Sequence, residues 1–233
     1  MKFYDANGNW YNVGASEVNI SQASPIAGKK ICMIGDSNIA YYANEHKTYM
    51  EETYGCTFVP FGTAGASWHT RSDTEEATTL NNMTAVGKIN QIIANVDENG
   101  LITEYDYIVI MMGTNDTSIG NTYKTSADVN TTCGAVRYCL EKLCNHGRNI
   151  HIGIVLPIHK NLDTTMPEKS QFIQTIAHEY GVPVLDLYNE GRVLGSAMLP
   201  GTSNLYLDDS VHLGEYGRKQ FDHILGKWIA YTL

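Results

Sequence analysis

Five short runs of the chain are apolar on both of their alternating faces: 30–35 (KICMIG), 56–61 (CTFVPF), 105–113 (YDYIVIMMG), 149–157 (NIHIGIVLP) and 182–188 (VPVLDLY). A strand with one wet face alternates apolar with polar residues, so a strand that is apolar throughout has to be covered on both sides. Helical patterns fill the gaps between the runs. In 127–146 the apolar positions Val129, Cys133, Val136, Leu140 and Leu143 recur at steps of 4, 3, 4 and 3, a single stripe along a helix, with Gly147 as its stop. Further helices are expected over about 83–96, 167–180 (Pro167 at the start, Gly181 at the end) and 214–231. Strand and helix in alternation predict an α/β fold, a doubly wound α/β/α sandwich.

At 233 residues the chain fits one such domain around one core. Residues 1–28 are rich in Asn, Gly and Ser, with aromatics at Phe3, Tyr4, Trp10 and Tyr11. They read as an irregular lead-in, a short β-piece or a linker, and the domain is expected over 29–233. The formal net charge is −9 with no run of Lys and Arg, which speaks against nucleic acid and against anionic membrane surfaces as partners. The longest apolar runs are about six to nine residues, far short of the roughly 20 that span a bilayer. The N-terminus lacks the apolar stretch of a signal peptide. A soluble protein is expected, cytoplasmic, mature or part of a larger assembly. Cys32, Cys56, Cys133, Cys139 and Cys144 form an odd set without a CxxC pair and read as buried free thiols.

Three polar connections are long: Gly62 to about Asn82, 113–126 and 189–211. All three follow strands, so all three rise from the carboxyl edge of the sheet, where open α/β folds bind ligands. That edge gathers widely separated polar pieces. Asp36, Ser37 and Asn38 follow the first run, and Gly62, Gly65 and Ser67 the second. Gly113, Asn115 and Asp116 follow the third, and Asp208, Asp209 and His212 precede the last helix. A hydrolytic serine needs a base, a carboxylate to orient the base, and N–H donors aimed at the developing oxyanion. Ser37 as nucleophile, His212 as base and Asp209 as orienting acid meet the first requirements. Backbone N–H groups of Ser37 and Gly65, with the Asn115 side-chain amide, meet the last. Asp208 is the alternative acid.

The blocks IGDSN, GTAGAS, GTND and DDSVH, in this order over roughly residues 29–231, resemble the four blocks of the SGNH (GDSL-type) hydrolases. The resemblance implies a flavodoxin-like sandwich with five parallel strands. It also implies that Ser37, Gly65, Asn115 and His212 are the name-giving residues, with Asp209 completing a triad. Members of that family are mostly metal-independent esterases, lipases, thioesterases and carbohydrate deacetylases, so no cofactor and no metal are expected. Asn38 stands where many members have Leu, Ile or Thr, and the second block has Phe61, Gly62 and Thr63 where an Asn is common.

The polar and aromatic loops suit a sugar better than an acyl chain. A carbohydrate O-acetylesterase is therefore the leading expectation, with Asn38, Trp68, His69 and Arg71 as candidate substrate-lining residues. A short-chain or lipid-type esterase is the alternative, and a catalytically silent carbohydrate-binding module of a larger assembly is the second. Other histidines read as bystanders: His151 as packed in a strand, and His46, His146, His178 and His223 as solvated on helices or their ends. Asp36 and Asp116 read as braces for loop backbone. Sequons begin at Asn19, Asn82, Asn115 and Asn130. A glycan on Asn115 would block an oxyanion donor, which favours a bacterial or phage origin. There is no G-x-S-x-G, no phosphate-binding glycine loop and no zinc spacing.

Overall fold

The computed structural model describes residues 2–4, 10–12, 24–69, 82–120, 128–158, 164–189, 207–209 and 211–233. The first two strands, β1 (Lys2–Tyr4) and β2 (Trp10–Asn12), pair antiparallel. The main sheet holds β3 (Lys30–Gly35), β4 (Thr57–Gly62), β5 (Tyr107–Met111), β6 (His151–Val155) and β7 (Val184–Leu185) in the order β4-β3-β5-β6-β7, every pairing parallel. The helices are α1 (Ser37–Ala40), α2 (Ala43–Tyr54), α3 (Ala85–Ile93), α4 (Thr132–His146), α5 (Met166–Glu179) and α6 (Glu215–Tyr231). This is the three-layer α/β/α sandwich with a five-stranded parallel sheet.

Two apolar clusters explain why the strands are apolar throughout. Cys32 and Ile34 of β3, with Ile108 and Ile110 of β5, pack on α3, α4 and α5 through Ile89, Leu140 and Ile173. Ile31 and Met33 point the other way and join Val109, Met111, Met50 of α2 and Phe221 and Leu225 of α6. Alternate residues of one strand therefore feed opposite layers, and neither face can be polar. Ile26 is also fully buried in the second cluster, so packing begins ahead of the expected boundary at residue 29. All five cysteines are free thiols, four of them buried.

Several boundaries differ from the sequence expectation for local reasons. Helix α4 starts at Thr132 because Thr131 caps it, its hydroxyl accepting from the Gly134 N–H. Gly147 ends α4 without a left-handed turn (φ −114°). A Cβ there would stand 2.6 Å from the Leu143 carbonyl oxygen, so space rather than backbone freedom selects the glycine. Strand β7 is short because Asp186 turns the chain, accepting from the N–H and side-chain amide of Asn189. Helix α2 is absent from the apolar patterns because its buried stripe is His46, Met50 and Tyr54, one of which is a histidine. His151 is exposed at the amino end of β6, stacked on Tyr107, rather than packed inside.

Helix α1 lies against the end of β4. A Cβ on Gly62 would meet the Ala40 nitrogen at 2.5 Å and the Ile39 carbonyl carbon at 2.8 Å, atoms that move only with the helix backbone. Gly62→Ala is therefore expected to cost about 1–3 kcal/mol by pushing α1 off β4, read as a lower midpoint in urea unfolding. An unchanged midpoint would mean that this contact does not constrain α1.

Candidate active site

The parallel register sets the stage: Gly35, Gly62 and Met111 are level with one another. The polypeptide after β3 thus emerges between the loops that follow β4 and β5. Ser37 opens α1 one residue later. Asp36 caps that helix, its side chain accepting from the Asn38 N–H at 2.9 Å. Burial pushes the Asp36 carboxyl above its ordinary value, and the Asn38 N–H works against that rise.

Ser37 Oγ and His212 Nε2 are 3.0 Å apart, and His212 Nδ1 lies 2.7 Å from Asp209 Oδ2. The other oxygen of Asp209 accepts from the N–H groups of Val211 and His212, both at 2.7 Å. Desolvation raises the Asp209 carboxyl, but the hydrogen bonds from His212 and Val211 outweigh it and hold the group below its ordinary value. Asp208 faces elsewhere. Its carboxylate accepts from the Tyr42 hydroxyl and sits 3.5 Å from Arg218 Nη1, so Asp209 is the acid in contact with His212.

The loops on either side of Ser37 are tied to each other. Gly65 has φ +77°, a left-handed conformation that glycine alone adopts at little cost. Asn115 Nδ2 donates to the Ala66 carbonyl at 2.9 Å, linking the β5 loop to the β4 loop across the end of β3. Asp116 strengthens the link. Both of its oxygens accept from the Trp68 N–H at 3.1 Å, and the Thr132 hydroxyl donates to it from α4. Lys169, buried on α5, donates to the Asp116 carbonyl at 2.9 Å. Burial pushes the Asp116 carboxyl up, offset first by His69.

The candidate substrate-lining residues are placed differently from the expectation. Trp68 is fully buried in the first apolar cluster, and His69, 1% exposed, accepts from the Ser118 N–H through Nε2. Neither offers a surface to a substrate. Asn38 is also fully buried, its side chain donating to the Val211 carbonyl at 3.2 Å and accepting from the Leu213 N–H at 3.0 Å. Arg71 lies outside the described residues. Sequence reasoning passed over Tyr41 as a surface residue of the site. It follows α1, is 59% exposed, and its ring centroid lies 5.1 Å from that of His212. Two adjacent tyrosines soon after Ser37 were the available signal; which one faces out depends on Tyr42 being held by Asp208 and by Arg218, whose guanidinium sits 4.2 Å above its ring. Among the described residues no cluster of three or more His, Cys, Asp or Glu is arranged to hold a metal, and no helix is long and apolar enough to cross a membrane.

The GDSL-like lipase/acylhydrolase family model matches residues 31–224. No curated protein matches the chain in sequence. Among solved structures, a protein from Lactobacillus plantarum superposes with a TM-score of 0.67 at 18% identity, over 89% of this chain and 99% of that one. A catalytic mutant of an acetylxylan esterase from Geobacillus stearothermophilus gives 0.57 at 14% identity, over 89% and 95%. Another acetyl xylan esterase gives 0.59 at 15%, over 87% and 99%. At such identities the structural likeness speaks for the fold. The family match includes Ser37, Gly65, Asn115, Asp209 and His212 within residues 31–224, and the chain belongs to the GDSL-like lipase/acylhydrolase family.

Proposed function

We propose that this protein is a serine ester hydrolase that works through an acyl-enzyme and removes O-acetyl groups from carbohydrates. The observation that carries the hydrolytic part is the continuous line from Ser37 Oγ through both His212 ring nitrogens to Asp209. In the proposed reaction Ser37 Oγ bonds to the acyl carbon while its proton passes to His212 Nε2. Asp209 holds Nδ1–H and so fixes the tautomer that can accept at Nε2. The tetrahedral oxyanion is met by the N–H groups of Ser37 and Gly65 and by the Asn115 amide. An amide nitrogen carries two hydrogens; Ala66 takes one of Asn115's, and the other serves the oxyanion. His212 then protonates the leaving alcohol, and a water deprotonated by His212 cleaves the acyl-enzyme and restores Ser37.

The carbohydrate part rests on Tyr41. An exposed aromatic ring next to the base gives the face of a pyranose a platform while the acetyl group reaches Ser37. A lipid-type ester would call for an aliphatic surface there. The two acetylxylan esterases among the similar structures fit the same reading.

Hydrolysis of p-nitrophenyl acetate by wild type and Ser37→Ala tests the mechanism. A loss of at least about 10³-fold is expected, and equal rates would mean that the fold serves binding alone. Asn115→Ala is expected to lower kcat by about 10²–10³-fold; a threefold effect would take it out of the oxyanion site. Tyr41→Ala should raise KM for acetylated xylo-oligosaccharides by about 2–10-fold, the worth of one aromatic contact, with p-nitrophenyl acetate kinetics unchanged. A parallel change with both substrates would count against the sugar platform.

The lowered Asp209 carboxyl has its own consequence. Its folded-state value is depressed, so its contribution to stability is present above the ordinary carboxylate value of 3.8 and is lost as pH falls through the lower folded value. Unfolding of wild type and Asp209→Asn should therefore differ at pH 7 and converge in stronger acid.

A further inference from the structure

Behind the Ser37–His212–Asp209 line lies a second acid–imidazole pair that the proposed reaction does not use. His46 of α2 is fully buried and Asp222 of α6 is 4% exposed. His46 Nδ1 lies 2.5 Å from Asp222 Oδ1, and His46 Nε2 lies 3.0 Å from the backbone oxygen of Asn38. A backbone oxygen only accepts, so Nε2 must carry a hydrogen. The Nδ1 contact needs a second hydrogen, on the ring or on the carboxyl. The pair thus holds two protons and is neutral as a unit, the state in which burial costs least.

Asn38 is the residue after Ser37, and all of its polar groups are engaged. Its N–H donates to Asp36, its carbonyl accepts from His46, its side-chain oxygen accepts from the Leu213 N–H, and its side-chain amide donates to the Val211 carbonyl. Val211 and Leu213 are the two neighbours of His212 in the chain. One side chain therefore grips the base on both sides while its own backbone is part of the nucleophile's turn. The His46–Asp222 pair pins that residue to α2 and α6.

We infer that Asp222, His46 and Asn38 form a buried positioning relay that sets the separation of Ser37 Oγ and His212 Nε2. They are positioning residues and touch no reacting atom. The inference rests on the reading of Ser37 as nucleophile and His212 as base. The competing view is that the pair only fills a polar gap between two helices. The two views part when both members are replaced by apolar residues of similar size, which removes the buried charges together and restores packing without restoring the hydrogen bond to Asn38.

The experiment compares kcat and KM for p-nitrophenyl acetate, and the melting temperature, in wild type, His46→Leu, His46→Leu/Asp222→Leu, Asp222→Asn, Asn38→Leu and Ser37→Ala. His46→Leu strands the Asp222 carboxylate and should lower both melting temperature and kcat. The double variant should melt near wild type yet remain about 10²-fold down in kcat with little change in KM, the loss typical of a misplaced catalytic group. Asp222→Asn should keep kcat within about threefold, because an amide can donate to Nδ1 and leave Nε2–H for Asn38. A double variant with wild-type kcat overturns the relay, as does wild-type kcat in Asn38→Leu, which reads the other end of the chain of contacts even if the double variant does not fold. Full activity in Ser37→Ala overturns instead the reading on which the relay rests.

Discussion

The backbone of α1 rests on the end of β4 with no side chain between them, because Gly62 presents no Cβ where the Ala40 nitrogen comes within 2.5 Å. Much of the carboxyl edge follows from that contact. It holds the turn that carries Ser37 level with the ends of β4 and β5, so the loops leaving those strands pass on either side of Ser37. Gly35 makes a similar allowance, since a Cβ there would overlap Ile39. The glycines around Ser37 are thus spacers that let a helix, a strand and a turn approach more closely than side chains permit.

The loops themselves are held by buried polar groups rather than by apolar packing. Asp36 and Asp116 lose hydration on burial and recover part of the cost from backbone N–H groups of Asn38 and Trp68. Lys88 of α3 holds the β4 loop as a buried donor instead. Its amine is fully buried, lies 4.0 Å from the Phe61 ring, donates to the Thr63 hydroxyl at 2.8 Å, and is lowered by desolvation to about 8. An unpartnered buried polar group is costly, so these hydrogen bonds favour the loop arrangement that supplies them. Among the described residues, Tyr41 beside His212 presents an exposed aromatic edge to solvent.

The strands were legible because an apolar run feeding two clusters leaves a continuous trace along the chain, and β3 occupies the expected 30–35. Helix α2 left no apolar stripe to fix its buried face, because that face is His46, Met50 and Tyr54. The roles of polar residues were harder still. Asn38 in a candidate site reads as a substrate contact, and Trp68 in a polar loop reads as a sugar platform. Both are buried, one by Val211 and Leu213 and the other in the first apolar cluster. His46 on a polar helix reads as solvated, and only the arrival of Asp222 from α6 makes it a core residue.

What the chain determines by itself is therefore the alternation of elements and the chemical identity of the groups delivered to one edge. Both are properties of neighbouring residues: periodicity, turn chemistry and block order. Which acid meets His212, which tyrosine faces outward and which polar side chains are structural were decided by the tertiary structure. The partners concerned are far apart in the chain: 175 residues for Ser37 and His212 and for Asn38 and Leu213, and 176 for His46 and Asp222. A polar side chain carries no local sign of whether water or a distant backbone group will satisfy it, and that choice is made when the layers close.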